Sequence, residues 1–241
     1  MYPTLAPAAT QHHAPMANAT PHQAGRWLGL GLLANFGLGI YSNFQLQEQV
    51  FAAPGFMLRA AGMPLQVGMI VVIGLATALL SLLIAAFLRG NYGRRQPLLS
   101  RCYLALAAAA LATSLFEGTL VLAMRSLSAD FLASGADSAV YEPARALLRG
   151  LRNGIHFPDK LLGGLGVFLM YTLLYRARAM PRLLGAAGMV ACLLQWVAVG
   201  RELFGLPVMP LLLLPLGLAY PLAGLWLLLR GLATPQAPGA R

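Results

Sequence analysis

A group of side chains that can hold charge or exchange protons occurs around residue 156. His156 and Lys160 have the i, i+4 spacing that places two side chains on one face of a helix, and Asp159 lies between them. An imidazole can act as a base or as a ligand-binding group, and a carboxylate beside an ammonium group can hold a charged ligand. We assign no catalytic residue, and the candidate ligand-binding residues are Glu117, Arg152, His156, Asp159, Lys160 and Arg201.

Glu117 is the most informative of these residues because it lies inside an apolar run, about two helical turns from its outer end. A lone carboxylate in hydrocarbon costs several kcal/mol unless it is protonated or paired. We therefore expect Glu117 to contact His156 or Arg201. Three interpretations of the cluster stay open: a polar clasp that fixes helix packing, a ligand pocket open to the outer side, and a proton-handling or catalytic site.

The elements that must position these residues are membrane-spanning helices. The chain is 59% hydrophobic and only 10% charged, and its mean hydropathy is +0.69. Its long runs are continuously Leu, Ala, Gly and Val, which argues against the alternating pattern of a membrane barrel. We predict an all-α, polytopic membrane protein, a six-transmembrane-helix bundle. The predicted spans are about Trp27 to Gln47, Pro64 to Leu88, Leu98 to Met124, Phe157 to Tyr175, Pro181 to Leu203 and Leu206 to Leu229.

The spans leave one membrane domain, 26–231, between two short tails. Positions 1–25 are rich in Ala, Pro, His and Thr and predict a disordered N-terminal tail, and 232–241 predict a C-terminal tail. The histidines of the first tail have no Cys or carboxylate beside them, so we expect no metal site there. Elsewhere His156 lacks a companion ligand, and no nucleotide-binding motif or other cofactor signature is found, so no cofactor is expected.

Arginine placement predicts the orientation and the compartment. Basic residues concentrate in the loops that are inside if the first residue is inside, and all acidic residues except Glu117 fall outside, which indicates an N-in/C-in topology. Lys160 is the sole lysine, and the Arg, Ala and Gly content is typical of GC-rich coding and a bacterial inner membrane. The net charge of +10 matches anionic membrane lipids and requires no nucleic acid. Small-residue helix faces permit a homo-oligomer.

The remaining polar residues of the spans lie in the outer half of the predicted bundle. A structural polar role is expected for Asn43, Gln47, Glu48 and Gln195. By contrast "GLGLLA", from Gly29 to Ala34, matches a dinucleotide-binding fingerprint but lies inside a span, where small residues serve close helix packing.

A short amphipathic helix is predicted on the outer surface near 143–153. Arg145, Arg149 and Arg152 recur at helical spacing on one side, and leucines occupy the other. The helix either lies on lipid phosphates or forms a basic rim that draws an anionic or phospholipid-like ligand toward His156. Pro158 would then begin the fourth span.

Two stretches resemble a known family. "HFPDKLLGGLGVFLMYTLLYRARAMPRLLGAAGMVACLL" and "LLPLGLAYPLAGLWLLLRG" are similar to the bacterial six-helix membrane family catalogued as domain of unknown function 4386. The resemblance implies six helices and marks His156 and the loop from Tyr175 to Arg182 as shared features, but it implies no activity. Members of that family often carry a Glu where this chain has Tyr220, so a polar site that used this acid would be altered here.

These observations favour binding or carriage of a small or lipid-like ligand in an outer-facing polar pocket. The alternatives are an intramembrane enzyme that uses His156 or Glu117 as acid or base, and a structural or partner subunit of a membrane complex. An enzyme is the less favoured class. The expected partners are membrane lipids and the small or lipid-like ligand.

Overall fold

The computed structural model describes residues 21–135 and 138–232, and this part of the chain is helical, with no strand. Of the predicted tails, residues 1–20 and 233–241 lie outside the described residues, and the first helix already includes 21–25. The long helices are α1 (Pro21–Tyr41), α4 (Pro64–Tyr92), α5 (Pro97–Ala133), α6 (Ser138–Arg176), α7 (Arg182–Gly200) and α8 (Leu214–Arg230). Two short helices, α2 (Gln47–Phe51) and α3 (Phe56–Arg59), connect α1 to α4.

Five helices are long and apolar enough to cross a membrane, so the chain is a polytopic helical membrane protein. They are Pro64–Tyr92, Pro97–Ala133, Ala139–Arg176, Arg182–Phe204 and Pro210–Arg230. The first predicted span, 27–47, is not among them. Its helix carries Arg26 and Asn35, and α1 gives way at Tyr41 to the π-helical segment Ser42–Leu46 that continues into α2.

Helices α1 and α8 pack closely in antiparallel directions. A Cβ atom at Gly29 would lie 2.5 Å from the carbonyl oxygen of Gly224, and Phe36 stacks on Tyr220 with 6.0 Å between ring centroids. Gly29, the first residue of "GLGLLA", thus lies at a helix contact in which the two backbones approach each other without a side chain between them. Elsewhere in this contact, Leu28 and Leu227 are buried in the larger apolar core.

The amphipathic stretch near 143–153 is part of a membrane helix and not a separate surface helix, which corrects the prediction. Helix α6 runs unbroken from Ser138 to Arg176 and contains Pro158 in its interior. Its apolar side faces away from the other helices, since Leu147 is 62% exposed and Leu151 is 45% exposed. The side chain of Arg152, by contrast, is only 13% exposed. Neighbouring helices hold the residues on either side of Pro158 in place and keep the chain helical, although a proline removes one backbone hydrogen bond.

The last span also begins later than predicted. A single-turn 3-10 helix, Arg201–Phe204, follows α7, and a second one, Pro210–Leu213, precedes α8. Because prolines disfavour helical geometry in the residue before them, Pro207 and Pro210 keep the chain between the two turns out of a helix.

Candidate functional site: a polar cavity between the helices

Glu117 on α5 contacts two basic side chains of α6. Its Oε1 atom lies 2.7 Å from Nδ1 of His156 and 3.6 Å from a terminal guanidinium nitrogen of Arg152. Of the two partners expected for Glu117, His156 is therefore the one that contacts it. All three side chains are largely buried, with 12 to 15% of each exposed. The carboxylate is compensated on the side that faces α6, as a charge inside a membrane protein must be.

Arg152 extends this contact to α2. Its guanidinium group donates a hydrogen bond to the side-chain oxygen of Gln47 on α2 and lies 4.4 Å from the ring centroid of Phe51. Gln47 in turn donates to Asn43, with 3.2 Å between the two side-chain atoms. The sequence predicted structural polar roles for Gln47 and Asn43 but did not connect either of them to Arg152.

Asp159 and Lys160 lie one turn farther along α6. The hydroxyl of Thr113 on α5 donates to Asp159, and the ammonium group of Lys160 lies 3.3 Å from the other carboxylate oxygen of Asp159. Lys160 retains a 35% exposed side chain, whereas that of Asp159 is 14% exposed. The ammonium group is thus only partly neutralised within the protein.

Gln195 brings α7 to the same site. Its side-chain nitrogen donates to the backbone carbonyl of Lys160 over 3.1 Å, and its Oε1 atom is buried and has no hydrogen-bond partner among the described residues. The absence of a side chain at Gly164 makes room for Gln195, because a Cβ there would collide with Oε1. Sequence reasoning identified Gln195 as a structural polar residue and did not anticipate its free acceptor.

These polar groups surround a cavity of about 320 Å³ between the helices. Of the candidate ligand-binding residues, Glu117, Asp159 and Lys160 line it, and of the expected structural residues Asn43, Gln47 and Gln195 do. His156 and Arg152 stand behind Glu117 and do not line the cavity. The other polar side chains of the lining are Asn35, Ser42, Thr77, Ser81 and Ser114.

Arg201 and Glu48 lie apart from this cavity, and of the two alternative partners expected for Glu117, Arg201 is the one that does not contact it. Arg201 donates from Nε to the backbone carbonyl of Pro207, 3.1 Å away, because the chain turns at the end of α7 and returns past it. Glu48 is exposed in the first turn of α2. Neither residue reaches the polar cavity in the described part of the chain.

Sequence reasoning missed a polar contact at the other side of the cavity. Asn35 on α1 donates to the hydroxyl of Ser81 over 2.7 Å and to the backbone carbonyl of Thr77 over 3.1 Å. The signal was an asparagine inside an apolar run, since such a residue needs a partner on a neighbouring helix.

Within residues 21–135 and 138–232, no group of three or more His, Cys, Asp or Glu side chains is arranged to hold a metal ion. The arrangement instead presents both signs of charge and several amide and hydroxyl groups to one space. Such a lining can form hydrogen bonds with a polar molecule and can orient it.

The helices and the cavity define a polytopic helical membrane protein with a polar site among its helices. The chain belongs to the family described as domain of unknown function (DUF4386), whose family model matches residues 27–231. The resemblance inferred from the sequence is therefore confirmed. No curated protein and no solved structure matches the chain.

Proposed function

We propose that this protein binds or carries a small polar or lipid-like ligand in the cavity lined by Glu117, Asp159, Lys160 and Gln195. The observation that carries the proposal is the cavity itself. Its volume of about 320 Å³ falls at the lower end of the range of small-molecule pockets, which is roughly 300 to 1,000 Å³.

A polar clasp accounts for only part of the site. The contacts of Glu117 with His156 and Arg152 join α5 to α6 and would suffice to fix these helices. A clasp requires no space beside it, however, and protein interiors are normally packed with few voids. The cavity and the amide and hydroxyl groups that line it favour an occupant that can form hydrogen bonds.

The charges of the lining favour a ligand that is neutral and polar, or zwitterionic. Two carboxylates, Glu117 and Asp159, and one ammonium group, Lys160, face the cavity. Because Glu117 is already compensated by Arg152, a ligand with a large net charge would be left without a counterion in a site of low dielectric constant. A ligand with hydrogen-bond donors at one end and acceptors at the other matches this lining.

A second candidate function is proton transfer to or from such a ligand. It is favoured by the 2.7 Å contact between Glu117 and His156, because Glu117 also lines the cavity and His156 holds it from behind. In that case Glu117 would touch the ligand, and His156 would position the carboxylate. Loss of turnover with retained binding in a Glu117→Gln variant would identify this function.

The proposal includes a sixth crossing and an orientation. α1 is antiparallel to α8 and lies against it at Gly29 and Phe36, and α8 is itself apolar enough to span. We propose that α1, the π-helical segment and α2 together cross the membrane, so that both ends of the domain 26–231 face the inside of a bacterial inner membrane. The cavity then lies toward the outer side.

Native mass spectrometry of the detergent-purified chain tests the proposed binding. The wild type is expected to retain a specific small molecule, and the Glu117→Gln variant is expected to lose it. Glu48→Gln is the matched control, since it removes a carboxylate that is exposed and outside the cavity. If the wild type carries no adduct, the ligand-binding proposal is rejected. Equal retention by Glu117→Gln and Glu48→Gln rejects a role of the Glu117 charge in binding.

A further inference from the structure

A second cavity lies at the end of the bundle where α2 ends and α6 begins. It has a volume of about 340 Å³ and lies beside the loop that contains Pro54. Three arginines of α6 face it: Arg145, Arg149 and Arg152, at i, i+4 and i+7. This spacing gives α6 one basic face, on which Arg152 is largely buried and Arg149 is exposed.

The cavity has an excess of positive charge. Among the described residues that line it, none is acidic. Arg145 is paired with the exposed Glu142 at 2.6 Å, and Arg152 is compensated by Glu117, which belongs to the other cavity. Arg149 has no ion pair or hydrogen bond within the part of the chain that the structure describes.

Arg152 also retains an unused donor. Its Nε atom is buried and has no hydrogen-bond partner in the described ranges, although its terminal nitrogens bond Gln47 and approach Glu117. A buried donor without a partner is unfavourable, and a side-chain shift that brought this donor to a bound acceptor would relieve the cost. Guanidinium groups have the planar geometry that suits phosphate oxygens.

We infer that this arginine cavity binds a phosphate group, either the headgroup phosphate of a membrane lipid or free phosphate. The cavity is larger than a phosphate alone, so an ester substituent also fits. Arg149 lines the cavity and is exposed, so the cavity opens to the surface of the bundle, where a lipid headgroup or free phosphate can enter. The inference is separate from the small-ligand cavity, because the two cavities share no lining residue and differ in the sign of their excess charge, although Arg152 also contacts Glu117.

Two arms of one experiment test the inference and distinguish the two sources. In the first, phosphatidylglycerol is titrated into the full chain in detergent and the bound lipid is counted by native mass spectrometry. In the second, thermal unfolding is compared in inorganic phosphate and in chloride at equal ionic strength. Lipid binding without stabilisation by inorganic phosphate identifies a headgroup site, and stabilisation by phosphate without lipid binding identifies a free-anion site. Either outcome supports the inference.

The decisive variant is Arg149→Gln, with Arg125→Gln as its matched control. Both arginines are exposed and lie near the same end of the bundle, but only Arg149 lines the cavity, so neither change should unfold the protein. Arg149→Gln is expected to weaken phosphate or lipid binding about tenfold, the loss of one charge-assisted contact. Equal binding by the two variants, or no response of the wild type to either probe, overturns the inference.

Discussion

Oε1 of Glu117 lies 2.7 Å from Nδ1 of His156, and the same oxygen lies 3.6 Å from Arg152, one helical turn away on α6. The Glu117 carboxylate therefore fixes the rotation of α6 about its own axis and its position along that axis relative to α5. This contact holds Asp159 and Lys160, the next turn of α6, at the wall of the polar cavity. The shape of the cavity thus depends on a residue pair of which only one member lines it.

Removing the charge of Glu117 should destabilise the bundle. In Glu117→Gln the largely buried Arg152 loses its acidic partner, and breaking a buried ion pair by changing one partner costs about 3 to 5 kcal/mol. Thermal unfolding in detergent should show a clearly lower midpoint than the wild type. Glu48→Gln, an exposed carboxylate on α2, should unfold like the wild type, and equal midpoints for the two variants would contradict this account.

Gly164→Ala should close part of the polar cavity. The added methyl group would collide with Oε1 of Gln195 and displace the side chain that bonds the carbonyl of Lys160. Ligand retention should fall about tenfold or more, the effect of losing one buried hydrogen bond and space beside it. Gly163→Ala is the control, because Gly163 also lines the cavity but a Cβ there meets nothing within 4 Å. Identical retention by the two variants would refute the role of Gln195.

Asn35 and Ser81 should be energetically coupled. The 2.7 Å hydrogen bond between them joins α1 to α4 across part of the cavity wall. A double-mutant cycle with Asn35→Ala and Ser81→Ala should give a coupling free energy of about 0.5 to 1.5 kcal/mol, the range for hydrogen bonds between membrane helices. Strict additivity of the two changes would show that the contact contributes no stability.

Gly29→Ala should force α1 away from α8. A Cβ at this position would lie 2.5 Å from both the Gly224 oxygen and the Leu228 nitrogen, and backbone atoms cannot yield as a flexible side chain can. A loss of about 1 to 3 kcal/mol is expected in unfolding experiments. Gly37→Ala, on the same helix with nothing within 4 Å of the new methyl group, should be neutral or slightly stabilising. A harmless Gly29→Ala change would argue against the close contact.

The number of crossings can be read from the two ends of the chain. If α1 with its extension crosses as a sixth span, tags placed at the two termini should both be protected in intact spheroplasts and both be accessible after lysis. Five crossings would put the tags on opposite sides of the membrane. An accessible tag at each end in intact spheroplasts would instead preserve six crossings and reverse the proposed orientation.

The sequence predicted the apolar helices well because their composition is a local property. The long runs of α4 and α5 needed only a window about as long as a bilayer is thick. The contact of Glu117 with His156 was also predictable, since a carboxylate inside a span requires a basic partner and few were at its depth.

The remaining features depended on contacts between helices, which a local stretch of sequence does not reveal. Local rules place a helix start at Pro158, but packing on both sides of it keeps α6 continuous. The hydrogen bond from Asn35 to Ser81 depends on how α1 and α4 are rotated about their axes. Arg201 turns to the carbonyl of Pro207 because the chain reverses after α7, which the spacing of residues does not reveal.

The buried position of Arg152 on α6 has a consequence for biogenesis. An isolated segment with Arg152 on one side would be a poor candidate to enter a lipid bilayer, because nothing there would neutralise its charge. Its partners Gln47, Phe51 and Glu117 all precede it in the chain. Since synthesis proceeds from the N-terminus, the residues that contact Arg152 emerge from the ribosome before Arg152 does, and the earlier helices can assist the insertion of α6.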